Sequence, residues 1–129
     1  MLIPEKEIDA MSVLALAHMG DCVYELLVRR SLCIRGTLTA GALHRETVAQ
    51  VCARAQAKAV RSILPVLSER ETAVYKRGRN AHSHVAPKNT SEGEYHAATG
   101  LETLFGWLYL REETERIEEL FALIGREEN

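Results

Sequence analysis

At 129 residues, with 26% charged side chains and a formal charge of −2, the chain is long enough for one buried core. Its net charge alone argues against a nucleic-acid partner, and no apolar run nears the roughly 18 residues of a membrane span. The opening MLIPEKEID lacks the basic-then-apolar layout of a secretory leader, so a cytoplasmic single domain over 1–129 is expected. Aromatic residues make up 5%, with few glycines and prolines, which favours helices over a sandwich or barrel. Cys22, Cys33 and Cys52 are odd in number and form no CxxC, reading as reduced core thiols.

Asp9 is a candidate cap for a first helix over about 10–32. Leu14, Leu16, Met19, Val23, Leu26 and Leu27 recur at spacings of three and four, the pattern of a helix buried over much of its surface. Gly20 inside it costs about 1 kcal/mol against alanine, so another backbone is expected to come close there. Asp21 follows. An aspartate in an apolar helix is expensive to bury unless it is paired, hydrogen-bonded or bound to a metal, and Asp21 is read as a metal ligand. Glu25 lies one turn on, on the same face. Arg29, Arg30 and Arg35 suit the helix end, and Gly36 breaks it.

Thr37 or Thr39 starts a short helix over about 40–45. From about 47 the alanine-rich VAQVCARAQAKAVRSIL predicts a helix to about 64, with Arg54, Lys58 and Arg61 as an outward, solvated stripe. Ser68 and Glu71 form a capping box that starts a helix to about 77, ended by Gly78. The loop KRGRNAHSHVAPKNTSEGEY then carries Lys76, Arg77, Arg79 and Lys88, interleaved with Asn80 and Asn89, and holds no acid before Glu92. Such a loop suits phosphate and sugar oxygens. His82 and His84 form an HxH pair without a third ligand nearby.

Ser91 and Glu94 make a second capping box for a helix over about 92–110. It repeats the features of the first: apolar, with Gly100 and Gly106 inside and one acid, Glu102, mid-helix. A last helix over about 112–124 has Ile117, Leu120, Phe121 and Ile124 as its core face and Gly125 as a C-cap. Residues 1–50, 51–90 and 91–129 carry −1, +6 and −7. A polyanion is therefore expected at the basic middle.

Two apolar, glycine-bearing helices with one acid each suit Mg²⁺ or Mn²⁺, which take oxygen ligands and keep waters. Such an ion orients a phosphodiester and activates water. The alternative is a pair of structural acids satisfied by hydrogen bonds or an arginine.

Met19-Gly20-Asp21 within LALAHMGDCVYELLVR, with KRGRNAHSHVAPKNTSEGEY and ATGLETLFGWLYL in that order, resembles the Mini-ribonuclease III family. This is the branch of the ribonuclease III superfamily without a double-stranded-RNA-binding domain. The resemblance implies an all-α catalytic domain that forms a homodimer and cuts double-stranded RNA with Mg²⁺. It implies Asp21 and Glu102 as catalytic, metal-binding residues and Glu25 as a further candidate ligand. Ala17 and Thr99 stand where the superfamily has two more acids, so water or RNA phosphate oxygens would fill those positions. Lys76, Arg77, Arg79, Asn80, Lys88 and Asn89 would hold the RNA backbone. The resemblance further implies maturation of large-subunit ribosomal RNA precursor, with a ribosomal-protein helper. Without a second binding domain, affinity should depend strongly on salt and read A-form shape. Two other readings compete: a non-catalytic dimeric RNA-binding module of the same fold, and a small-molecule phosphohydrolase using His18, Asp21 and Glu25.

Overall fold

The most apolar helix sits at the centre. In a computed structural model, which describes residues 2–36, 38–81, 86 and 90–127 (the last two by backbone alone), α6 (Glu92–Leu110) buries Leu101, Leu104, Phe105 and Leu108 completely. A helix apolar on all sides is stable only when neighbours surround it. Here α2 (Val13–Arg35), α4 (Ala53–Ile63), α5 (Glu69–Arg79) and α7 (Thr114–Glu127) pack around it, with α1 (Glu5–Asp9) and α3 (Ala40–Val51) at the periphery. Among the described residues there is no strand, and the expected all-α class holds.

The contact between α2 and α6 is backbone on backbone. A Cβ on Gly20 would fall 1.6 Å from the Glu102 carbonyl oxygen, and one on Gly106 would fall 2.0 Å from that of Leu16. Gly20 thus does what its placement in an apolar helix predicted. The line Leu16, Gly20, Val23 and Leu27 faces this contact and is buried. Other apolar positions of α2 are not covered: Leu14, Leu26 and Ile34 are 63, 64 and 79% exposed. Cys22, Cys33 and Cys52 are exposed too, which corrects their reading as core thiols. Periodicity marks apolar positions, not which of them a single chain covers.

Several boundaries move for tertiary reasons. The first helix divides in two: Ser12, not Asp9, caps α2 by accepting from the Ala15 amide at 3.1 Å. Asp9 instead accepts from Trp107 Nε1 and from Arg70, both at 3.1 Å. Arg70 and Arg111 lie over the Trp107 ring, 5.3 and 4.6 Å from its centre, and both pair with Glu5. Together these contacts clasp α1 onto the core. Thr39 caps α3, which runs to Val51 rather than ending near 45. Cys52 then turns extended, at ψ 158°, so the expected helix from 47 to 64 begins only at Ala53. The break lets α4 turn Gln56, Ala57, Val60 and Ile63 inward.

Both capping boxes form as read. Ser68 and Glu71 exchange bonds of 2.9 and 3.1 Å, and Ser91 and Glu94 bonds of 3.4 and 3.1 Å. Glu71 is buried because Arg116 grips both its oxygens at 2.8 and 2.9 Å. Gly78 does not end α5. It lies inside the helix, where a Cβ would meet Thr103 Oγ1 at 2.3 Å. Past Leu110, Glu112 takes φ 59° and the Glu113 amide bonds back to the Leu108 carbonyl at 3.0 Å. This Schellman-type stop delays α7 to Thr114, and Gly125 falls within it. Arg30 and Glu118 pair through both oxygens at 2.6 and 2.7 Å, tying α2 to α7.

Candidate active site

The close crossing at Gly20 decides where the acids go. Asp21 follows the contact glycine on α2, and the Glu102 carbonyl is the atom beneath that glycine. Both side chains enter one cleft of about 200 Å³, together with Ala17, His18, Tyr95 and Thr99. The cleft is therefore built by the two helices that can approach most closely, and its chemistry comes from the residues beside the contact.

Burial, then the charge of Asp21, then hydrogen bonding with the Asp21 side chain push the Glu102 pKa up to about 8, against a smaller opposing pull from the Gln56 amide. Asp21 is exposed at the cleft mouth. At neutral pH Glu102 thus keeps its proton, in an open, oxygen-lined site beside Asp21.

A stability effect follows from linkage. Folded Glu102 binds its proton more tightly than unfolded Glu102, so the folded state holds more protons between pH 4.5 and about 8. Stability of the metal-free protein therefore falls as pH rises through that window. Glu5 and Glu118, held low by Arg111 with Arg70 and by Arg30, act with opposite sign but at more acid pH. Glu102→Gln should flatten the slope and raise Tm in chelator at pH 8.5 by about 5 °C. Melts at pH 5.5 and 8.5 check this; an unaltered slope in the variant would contradict a proton held on Glu102.

The other sequence-expected residues are placed as follows. Glu25 borders a shallow surface with His18, Asp21 and Arg29, and its carboxylate is taken by Arg29, at 3.0 Å from Nε and 2.9 Å from Nη2. Among the described residues no three His, Cys, Asp or Glu side chains converge on one point. Asp21 and Glu102 are the two carboxyls that line the cleft. Ala17 and Thr99 flank that pair, and the Thr99 hydroxyl donates to the Tyr95 carbonyl at 3.0 Å. His18, Asp21 and Glu25 thus border one shallow surface without converging on one point, and Glu25 is paired with Arg29.

Lys76, Arg77 and Arg79 occupy the last turn of α5, with Asn80 as its C-cap. Arg77 donates to the Met11 carbonyl at 2.5 Å, joining this turn to the start of α2. Arg79 donates to Asn80 Oδ1 at 3.1 Å and lies 5.8 Å from the centre of the Tyr75 ring. Lys88, Asn89, His82 and His84 lie outside the described residues. In the outward stripe of α4, Arg54, Lys58 and Arg61 are exposed as expected, and Arg54 comes within 3.7 Å of Glu94.

Sequence reading missed Gln56. It is 1% exposed, and its amide faces Glu102. A signal existed: Gln56 stands in the apolar line of ARAQAKAVRSI that also holds Ala57, Val60 and Ile63.

Residues 14–113 match the family model of the ribonuclease III domain. A Mini-ribonuclease 3 of Symbiobacterium thermophilum is 45% identical over 107 residues, covering 83% of this chain and 82% of that protein. One of Clostridium tetani is 40% identical over 121 residues, covering 93% and 80%. The crystal structure of a Fusobacterium nucleatum protein superposes with a TM-score of 0.84 at 28% identity, covering 95% of this chain and 98% of that one.

Proposed function

Because the chain belongs to the ribonuclease III family, we propose that it cuts double-stranded RNA at Asp21 and Glu102, with Mg²⁺ or Mn²⁺ held between them. The observation that carries this reading is the pair itself: two carboxyls from different helices that line one open cleft, close enough for Asp21 to disfavour a charge on Glu102. The donor set fits a hard cation. Mg²⁺ is commonly bound by one or two carboxylates, with waters and substrate phosphates completing its shell, and the uncharged Ala17 and Thr99 leave room for them.

When bound, the cation supplies Lewis acidity and a water of lowered pKa. The chain supplies the rest. The Gly20–Gly106 contact sets the spacing of the acids. Glu102 releases its proton to make the site dianionic. Asp21, at the mouth, meets the incoming phosphodiester side. Lys76, Arg77, Arg79 and Asn80, with Lys88 and Asn89, hold backbone phosphates and sugars, so that shape rather than base edges is read.

The large apolar side chains that α2 leaves exposed, Leu14, Leu26 and Ile34, support a homodimer. A two-fold assembly offers one cleft to each strand of a duplex. The natural substrate we assign is the precursor of large-subunit ribosomal RNA, in the cytoplasm and with a ribosomal-protein helper. This assignment rests on the likeness to Mini-ribonuclease 3. No helix among the described residues is long and apolar enough to cross a membrane.

The test is a long labelled duplex incubated with Mg²⁺ or with chelator. Discrete cuts that need the metal, and none in the matching single strand, are expected. Salt-sensitive binding without cutting would favour the non-catalytic module. In the same assay, Arg77→Ala combined with Arg79→Ala should weaken duplex binding and reduce its salt slope by about 2. Anisotropy titrations over a salt series measure this, and an unchanged slope would remove that turn from the interface.

A further inference from the structure

We infer that Gln56 is a positioning residue for the cleavage centre, its buried amide holding the Glu102 carboxyl from behind. The inference rests on the reading of Asp21 and Glu102 as that centre. Gln56 is 1% exposed, on the face of α4 that otherwise buries Ala57, Ala59, Val60 and Ile63. Its Nε2 has no formed hydrogen bond among the described residues, although the amide lies close enough to Glu102 to favour the ionised carboxylate.

Leaving a buried amide donor unmade costs stability. A leucine or methionine would fill the same slot without that cost. The orphaned donor makes physical sense if its partner is incomplete in this state. Glu102 is engaged with Asp21 across the cleft; turned to a cation and substrate instead, its carboxylate has a lone pair on the inner side for Gln56 to meet. The choice of an amide also fits. A lysine there would neutralise Glu102 and compete with a cation, and an acid would add a third negative charge to a buried pair. A neutral donor orients the carboxylate and leaves its charge available. Gln56 does not line the cleft, so it acts through Glu102 and not on RNA.

Gln56→Met and Gln56→Leu keep the volume and remove the donor. In both, the metal-free Tm should stay within about 2 °C of the wild type or rise, since an unpaired polar group has been removed. At saturating Mg²⁺, kcat on duplex RNA should fall about 10- to 100-fold with KM unchanged. Mn²⁺ affinity of the RNA-free protein, read by electron paramagnetic resonance, should weaken by a similar factor. Normal kcat and Mn²⁺ affinity in either variant would overturn the proposal and leave Gln56 as a packing residue. Asp21→Asn, run in parallel, separates the two failures. If Asp21→Asn is inactive while Gln56→Met cuts normally, only the role of Gln56 falls. If Asp21→Asn cuts normally, the cleavage centre itself is misplaced.

Discussion

Asp21→Asn and Glu102→Gln should each reduce duplex cutting on the order of 10³-fold or more, with the protein still folded. Each exchange keeps the side-chain volume and removes one of the two anionic oxygen donors that the cleft offers. With only two such donors, neither loss can be covered by a third protein ligand. Both variants also ease the crowding that the native pair tolerates. Asn at 21 removes the charge that helps raise the Glu102 pKa, and Gln at 102 replaces an acid that burial already keeps protonated at neutral pH. Tm should therefore hold or rise in both variants, which separates loss of chemistry from loss of fold. Single-turnover cutting at saturating Mg²⁺, with melts beside it, decides the matter. Retained activity in either variant would sink the assignment. Lost activity with a collapsed Tm would show that the acids serve the fold.

The second large effect concerns stability. Gly20→Ala should destabilise the protein by about 3 kcal/mol or more, or prevent folding, as overpacking against rigid neighbours does. Helix propensity alone predicts the opposite sign, a gain of about 1 kcal/mol. The new Cβ would sit 1.6 Å from the Glu102 carbonyl oxygen, 2.5 Å from its carbon and 2.8 Å from the Gly106 nitrogen. All three are backbone atoms of the central helix and cannot swing aside as a side-chain tip can. To fit, α2 must lift away from α6 and take Asp21 away from Glu102, so any folded fraction should also cut poorly. Gly125→Ala in α7 is the control, since a Cβ there meets nothing within 4 Å. It should be neutral or stabilising. Denaturant melts of the two variants side by side test the crossing, and equal midpoints would mean that α2 and α6 do not touch at Gly20.

These two predictions share a cause. The contact that forbids a methyl group at Gly20 is the one that brings the acids together. A glycine in an apolar helix next to a lone acid was the legible sign of the site, and the same sign recurs at Gly106 near Glu102. What the pattern did not reveal was the state of the pair. Whether Glu102 keeps its proton depends on how deeply it lies and on which atoms lie behind it, and Gln56 comes from a third helix, 46 positions away in the chain.

Some features were decided within a few residues by the sequence itself. The capping boxes at Ser68 and Ser91 form as read because a serine and a glutamate three positions apart satisfy each other's amides whatever surrounds them. The extent of α6, the helical class and the two acids follow from similarly local patterns. Other features depended on partners far along the chain. Asp9 has the chemistry of a cap, but Trp107 and Arg70 claim it, leaving Ser12 to start α2. Gly78 looks like a stop but lies within the last turn of α5, where Thr103 leaves no room for a side chain. Cys52 interrupts an alanine-rich stretch of strong helical propensity so that α4 can turn its inner face to α6. Leu14, Leu26, Cys22 and Cys33 carry a core-like pattern at positions of α2 that one chain leaves exposed. Capping and periodicity act over three or four residues and can be read from sequence alone; packing chooses among partners tens of residues apart, and only the tertiary structure makes that choice.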